Sequence, residues 1–324
     1  MRFAVARLIA PLILVLFAVP LAAEAQPAVR LPRVGVLTVL PMSSMAFARE
    51  FPVALHDRGY VEGRNIVLEW RSGDGSPDRL ADLATELTRL KADVIVAVID
   101  SDIRAAKRAT TTIPIVMVAA QDPVGAGFVS SLARPGGNVT GKAWFDPETG
   151  GKFLQILKET VPTTTRVLYM SGGDVSRFAL AMQASALPLG LMLQVMEWRP
   201  TDDVAHVLDE VGRQKPEALI LSSALPISHR DAILNFAVKH RLPTMTNTRG
   251  VATAGALMAY TPNSLDATRR VAYYVDRILK GARPADLPVE LPQTYELIIN
   301  LQTARAIGLT IPQSILLRAD DLIK

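Results

Sequence analysis

The sequence predicts an α/β chain folded as two like αβα lobes with parallel sheets. Three observations carry that expectation. Short β-branched runs alternate with amphipathic helical stretches, which is the pattern of βαβ units. The alternation then restarts halfway along the chain. Finally, two stretches echo each other at similar separations: ADVIVAV at 92–98 with EALILSS at 217–223, and IPIV at 113–116 with LPTM at 242–245.

The elements follow in order. Residues 1–25 read as a secretory signal peptide: Arg2 and Arg7 lead, an apolar run follows, and Ala-Glu-Ala at 23–25 offers a cleavage site before Gln26. The run is short for a membrane span, and Pro11 and Pro20 interrupt it. In the first half, strands are expected at 33–39, 65–70, 93–98 and 113–118. Helices are expected from Ser43 or Ser44 to about 58, with Gly59 as the stop, then at 77–90 and 103–109. A turn-rich segment at 121–137 leads into 138–141. In the second half, helices are expected at 152–159, 178–187, 202–213 and 228–240, with Thr201 as a cap. Strands are expected at 166–170, 192–197, 218–221 and 243–245. A helix at 265–280, a Pro-rich crossing at 283–292, a strand at 295–299 and a short helix with a tail complete the chain.

Composition narrows the chemistry. The chain has 324 residues, 49% hydrophobic and 20% charged, enough apolar material for two cores. It has no Cys, which excludes disulfides, thiolate metal sites, a Cys nucleophile and lipid attachment through an N-terminal Cys. The net charge of +4 is spread along the sequence without a basic stripe, so no nucleic-acid partner is expected. His56, His206, His229 and His240 form no metal-binding pair, so no metal is expected. Gly-x-Ser-x-Gly and the phosphate-binding Gly-Lys loop are absent, and Gly125-Ala-Gly127 does not continue as a dinucleotide fingerprint. Neither an enzyme nor a cofactor is expected.

What remains is polar clusters at the carboxyl ends of strands, where open α/β sheets bind ligands. Ser43, Ser44, Asp100, Ser101, Gln121 and Asp122 belong to the first half. Ser171, Ser222, Asn247 and Thr248 belong to the second. Each cluster alone could be a helix cap or turn, but they recur at equivalent places in both halves. Hydroxyls and helix N-termini suit a small carboxylate, and an Asp among them suits an ammonium. Met42, Phe145 and Tyr260 are candidate apolar walls, with core or hinge packing as their alternative.

Several motifs resemble those of ABC-importer substrate-binding proteins with a type I periplasmic-binding fold, a group associated with amino-acid-like solutes. They are LHDRGYVEGRN at 55–65, DPVGAG at 122–127, SLARPGGNVTG at 131–141, YVDRILKG at 274–281, PADLPVE at 284–290, ELIIN at 296–300 and IGLTIP at 307–312. They run in order along nearly all of the chain after the leader. The resemblance implies interleaved lobes, 31–142 plus 261–285 and 143–260 plus 286–324, joined by crossings near 141–144, 260–263 and 284–288. It implies a solute held in the cleft between them, closure about the hinge, delivery to an inner-membrane permease, a periplasmic location without a lipid anchor, and a monomer. A sugar receptor or a sensory lobe uses the same fold; an exported hydrolase would need a nucleophile and base in the cleft. The chain departs from the family at Asp100-Ser101-Asp102 and at Ser171-Gly172-Gly173-Asp174, both at the inferred cleft, which would suit a more cationic or polyhydroxyl ligand.

Overall fold

A parallel strand covered on both faces carries apolar side chains at successive positions, not alternate ones. β1 (Arg33–Thr38, RVGVLT) is such a strand, buried at all positions after Arg33. It belongs to a computed structural model that describes residues 30–144, 146, 149–171, 177–199, 201–222 and 227–324, apart from the side chains of residues 44, 227 and 228. The expected leader, Phe145 and residues 172–176 and 223–226 lie outside the described residues.

β1 is followed by α1 (Ala46–His56), β2 (Val67–Ser72), α2 (Leu80–Arg89), β3 (Val94–Ala97), α3 (Asp100–Ala109), β4 (Ile115–Ala120) and β5 (Val139–Ala143). The five strands form one parallel sheet in the order β2-β1-β3-β4-β5. Its two faces bury different clusters. Val34, Val36 and Phe51 pack on the α1 side, and Leu37, Leu87 and Ile103 pack on the α2 and α3 side. Next to β4, the pairing of β5 is irregular between Met117 and Ala120. There Gly141 has φ +126°, and a Cβ would stand 2.3 Å from the Met117 carbonyl oxygen, so only glycine fits.

The second half holds α4 (Thr149–Thr160), β6 (Arg166–Ser171), α5 (Arg177–Ala186), β7 (Met192–Glu197), α6 (Val204–Gln214), β8 (Ala218–Leu221), α7 (Ile227–Lys239), β9 (Thr244–Thr246), α8 (Arg249–Thr253) and β10 (Met258–Pro262). After β10 the chain returns to the first sheet as α9 (Ser264–Leu279), whose Val271, Ala272 and Val275 join the Phe51 cluster. Leu287 and Val289 also pack in first-sheet clusters. The chain then enters the second sheet again as β11 (Tyr295–Asn300), followed by α10 (Leu301–Ile307), α11 (Gln313–Leu316) and β12 (Asp321–Ile323). The second sheet runs β12-β11-β10-β9-β8-β6-β7, with β11 antiparallel to β10. Phe153, Leu157 and Phe178 cover one face, and Val211, Ile233 and Trp198 lie in the cluster on the other.

The α/β alternation and the two sheets, parallel except where β11 meets β10, match the expectation from sequence. Among the elements not anticipated are α8, β10 and the edge strand β12. β10 occupies the stretch expected to be a crossing, and Pro262 ends it, where a missing N–H costs little. Capping also differs. Asp203, not Thr201, caps α6, accepting from the Ala205 N–H at 3.3 Å. Ser43 and Ser44 lie in a 3₁₀ turn, and α1 starts after Met45 with no side-chain cap bond.

Candidate functional site

The connections orient the two sheets. β5 runs parallel to β1, β3 and β4, so its end at Ala143 lies at the same edge as Thr38, Ala97 and Ala120. From that end the chain passes directly to α4, which packs on the second sheet. β10 runs parallel to β9, and from its end at Pro262 the chain passes directly into α9 on the first sheet. The third link, between Leu291 and Tyr295, enters the second sheet beside the end of β10. Such short links leave each sheet at its carboxyl edge and hold the two edges toward one another.

The first carboxyl edge is organised by α3. Asp100 Oδ1 accepts from the Gln121 N–H at 2.9 Å, tying α3 to the end of β4. Asp102 has no exposure to solvent. Its carboxylate accepts from the N–H groups of Val39 at 2.9 Å and Ile99 at 3.0 Å, and Ser101 Oγ donates to it at 3.1 Å. One side chain therefore pins the ends of β1 and β3 together. Burial raises the Asp102 pKa to about 6, against the lowering effect of those donors. Burial likewise raises Asp100, partly offset by the Gln121 N–H. Asp122 Oδ1 accepts from the Gly125 N–H at 2.9 Å and shapes its own turn.

The second edge is buried and polar. Ser171, Ser222, Thr246 and Asn247 all sit there below 7% exposure. Thr248 Oγ1 donates to Asn247 Oδ1 at 3.2 Å. The Thr246 hydroxyl has no partner among the described residues, an uncommon state for a buried polar group.

The sequence-predicted residues divide accordingly. Asp100, Ser101, Gln121 and Asp122 come together at the first edge, and Ser171, Ser222, Asn247 and Thr248 at the second. Ser43 is exposed and Met42 half-buried in the turn after β1, beside the backbone of Ser44. Tyr260 is half-buried. It lies within β10, stacked on Tyr295 at 5.0 Å and edge-on to Phe153 at 5.8 Å, against the second-sheet core. Asp102 was missed as a site residue, although its position three residues into α3 is where a carboxylate reaches back to the helix start. Trp144 follows the end of β5, beside a crossing. It packs against core clusters of both sheets.

Comparison with known proteins agrees with this architecture. The family model described as ABC transporter substrate binding protein matches residues 33–323. A curated protein named tyrosine-binding protein from Clostridioides difficile (strain R20291) is 25% identical over 280 residues, covering 85% of this chain and 81% of that protein. A solved ABC domain in complex with L-Trp from Streptococcus pneumonia is 22% identical with a TM-score of 0.81, covering 91% of this chain and all of that one. The leucine-binding protein LivK of Thermotoga maritima shares the type I periplasmic-binding fold at 15% identity and a TM-score of 0.59, covering 77% of this chain and 83% of that one. With facing carboxyl edges, interleaved sheets and a match from Arg33 to Ile323, the chain belongs to the ABC transporter substrate-binding protein family.

Proposed function

We propose that this substrate-binding protein captures a small amino acid or related carboxylate in the cleft between its sheets and delivers it to an ABC permease. The observation that carries the reading is the pair of facing carboxyl edges, each with buried polar side chains. A solute lying between them is stabilised only when both edges touch it, so binding shifts the population toward the closed state. Ser171, Ser222, Asn247, Thr248 and the unpartnered Thr246 hydroxyl are the contacts proposed on one side. Asp100, at the start of the α3 helix, and the Asp122 turn supply the other. The named ligands of two relatives, tyrosine and L-Trp, favour an aromatic amino acid.

The lobes proposed are 31–143 with 263–291, and 144–262 with 295–324. The third crossing then falls at 292–294, because Leu287 and Val289 pack on the first sheet. Export through the 1–25 leader to the periplasm, and work as a monomer, belong to the same reading.

A thermal-shift screen of the mature protein against amino acids, sugars and polyamines tests it. A true ligand at 100 times Kd stabilises by about 2.7 kcal/mol. Asn247→Ala is expected to weaken that ligand at least about tenfold, since truncation leaves a ligand group unpaired. Silence from every amino acid would refute the substrate class. A full response from Asp100→Ala/Asp122→Ala would remove those carboxylates from the site.

A further inference from the structure

Positive charge that is scattered along the sequence converges at the hinge. A cavity of about 430 Å³ opens beside the crossings, within the size range of small-molecule sites. Arg58, Lys142, Arg269 and Arg270 line it, against Asp266 and Glu290. Glu290 is taken up by a two-point ion pair with Arg270. Asp266 accepts from Thr294 Oγ1 at 2.6 Å and forms no ion pair among the described residues. The wall therefore keeps an excess of cations.

Lys142 is the centre of this arrangement. It is only 7% exposed, and its ammonium donates to the Leu291 carbonyl at 3.1 Å. No carboxylate lies within 4 Å of it among the described residues. An ammonium removed from water without a directly bonded counter-charge is costly. Burial accordingly lowers its pKa, with Glu290 only partly restoring it. Arg58 and Arg269 are exposed at the rim. Arg58 and Arg270 both lie over the Tyr273 ring, at 5.3 and 3.9 Å, which holds two guanidinium groups close together.

We propose that this hinge cavity binds a small anion bearing a carboxylate or phosphoryl group, with Lys142 as its inner contact and Arg58 and Arg269 as its rim. Guanidinium and ammonium donors around a partly enclosed space suit such oxygens through charge-assisted hydrogen bonds. The cavity also takes Trp144, Pro262 and Pro292 into its wall, one from each crossing. An anion seated there touches all three strands of the hinge. The cavity lining includes none of the residues proposed to contact the solute, so the proposal does not depend on which solute the cleft takes.

The test is a titration of the mature protein with inorganic phosphate and, separately, malonate, with no cleft solute present and ionic strength matched by sodium chloride. The expected result is a saturable rise of at least about 2 °C in the unfolding midpoint with one of them, and which one responds separates phosphoryl from carboxylate ligands. Lys142→Met is expected to weaken that response at least about tenfold. Arg58→Ala/Arg269→Ala, which changes only exposed side chains, is expected to do the same and decides the matter should Lys142→Met fail to fold. No saturable rise beyond chloride overturns the proposal. So does a response that persists unchanged in the rim variant.

Discussion

Asp102 places a carboxylate in full burial and surrounds it with donors from two strands. Its raised pKa has a definite sign in the stability of the protein. The folded state holds a proton on Asp102 that the unfolded chain releases near pH 4, so stability falls as pH rises from about 4 to about 6. The size is about 2–3 kcal/mol for a shift of roughly two units. Asp100 shifts in the same direction and adds to the slope. Urea unfolding at pH 4.5 and pH 7 measures it. Asp102→Asn is expected to remove most of that pH dependence and to cost about 1–3 kcal/mol at pH 7, because its amide NH₂ must face a backbone N–H that the carboxylate now accepts. A variant with unchanged stability and slope would show that Asp102 does not pin these strand ends. The aspartates at 100–102 were legible as a polar cluster. Their division of labour was not, because it depends on backbone donors from residues more than twenty, and as many as sixty-three, positions away.

Among the elements, β5 carries the tightest constraint. Gly141 stands where a Cβ would lie 2.3 Å and 2.5 Å from the Met117 backbone oxygen and nitrogen. Backbone cannot yield as a side-chain tip can. Gly141→Ala is therefore expected to destabilise by more than about 2 kcal/mol, whereas Gly137→Ala, with open space at its Cβ, stays within about 0.5 kcal/mol. Denaturation midpoints of the two variants check the contrast. Most elements were readable from their periodicity: α9 buries Val271, Ala272, Tyr274, Val275 and Ile278 along one stripe, the spacing of an amphipathic helix. β10 and β12 were not readable. Both are short, and β10 ends in proline, so propensity argues against a strand that its neighbours β9 and β11 nevertheless complete.

For the whole molecule, the consequence of two facing edges is closure. Saturating solute is expected to shrink the radius of gyration measured by X-ray scattering, because one population of closed molecules replaces a mixture. Unchanged scattering with a bound solute would show that binding needs no movement of the lobes. The alternation of strands and helices, the restart of the pattern and the family motifs are properties of the sequence itself, because local periodicity and short segments encode them. The return of α9 to the first sheet, the retention of Leu287 and Val289 there, the stacking of Tyr260 on Tyr295 and the gathering of Arg58, Lys142, Arg269 and Arg270 at one cavity were decided by tertiary structure. Each depends on contacts between residues far apart in the chain, and no local pattern specifies which distant surface an element will cover.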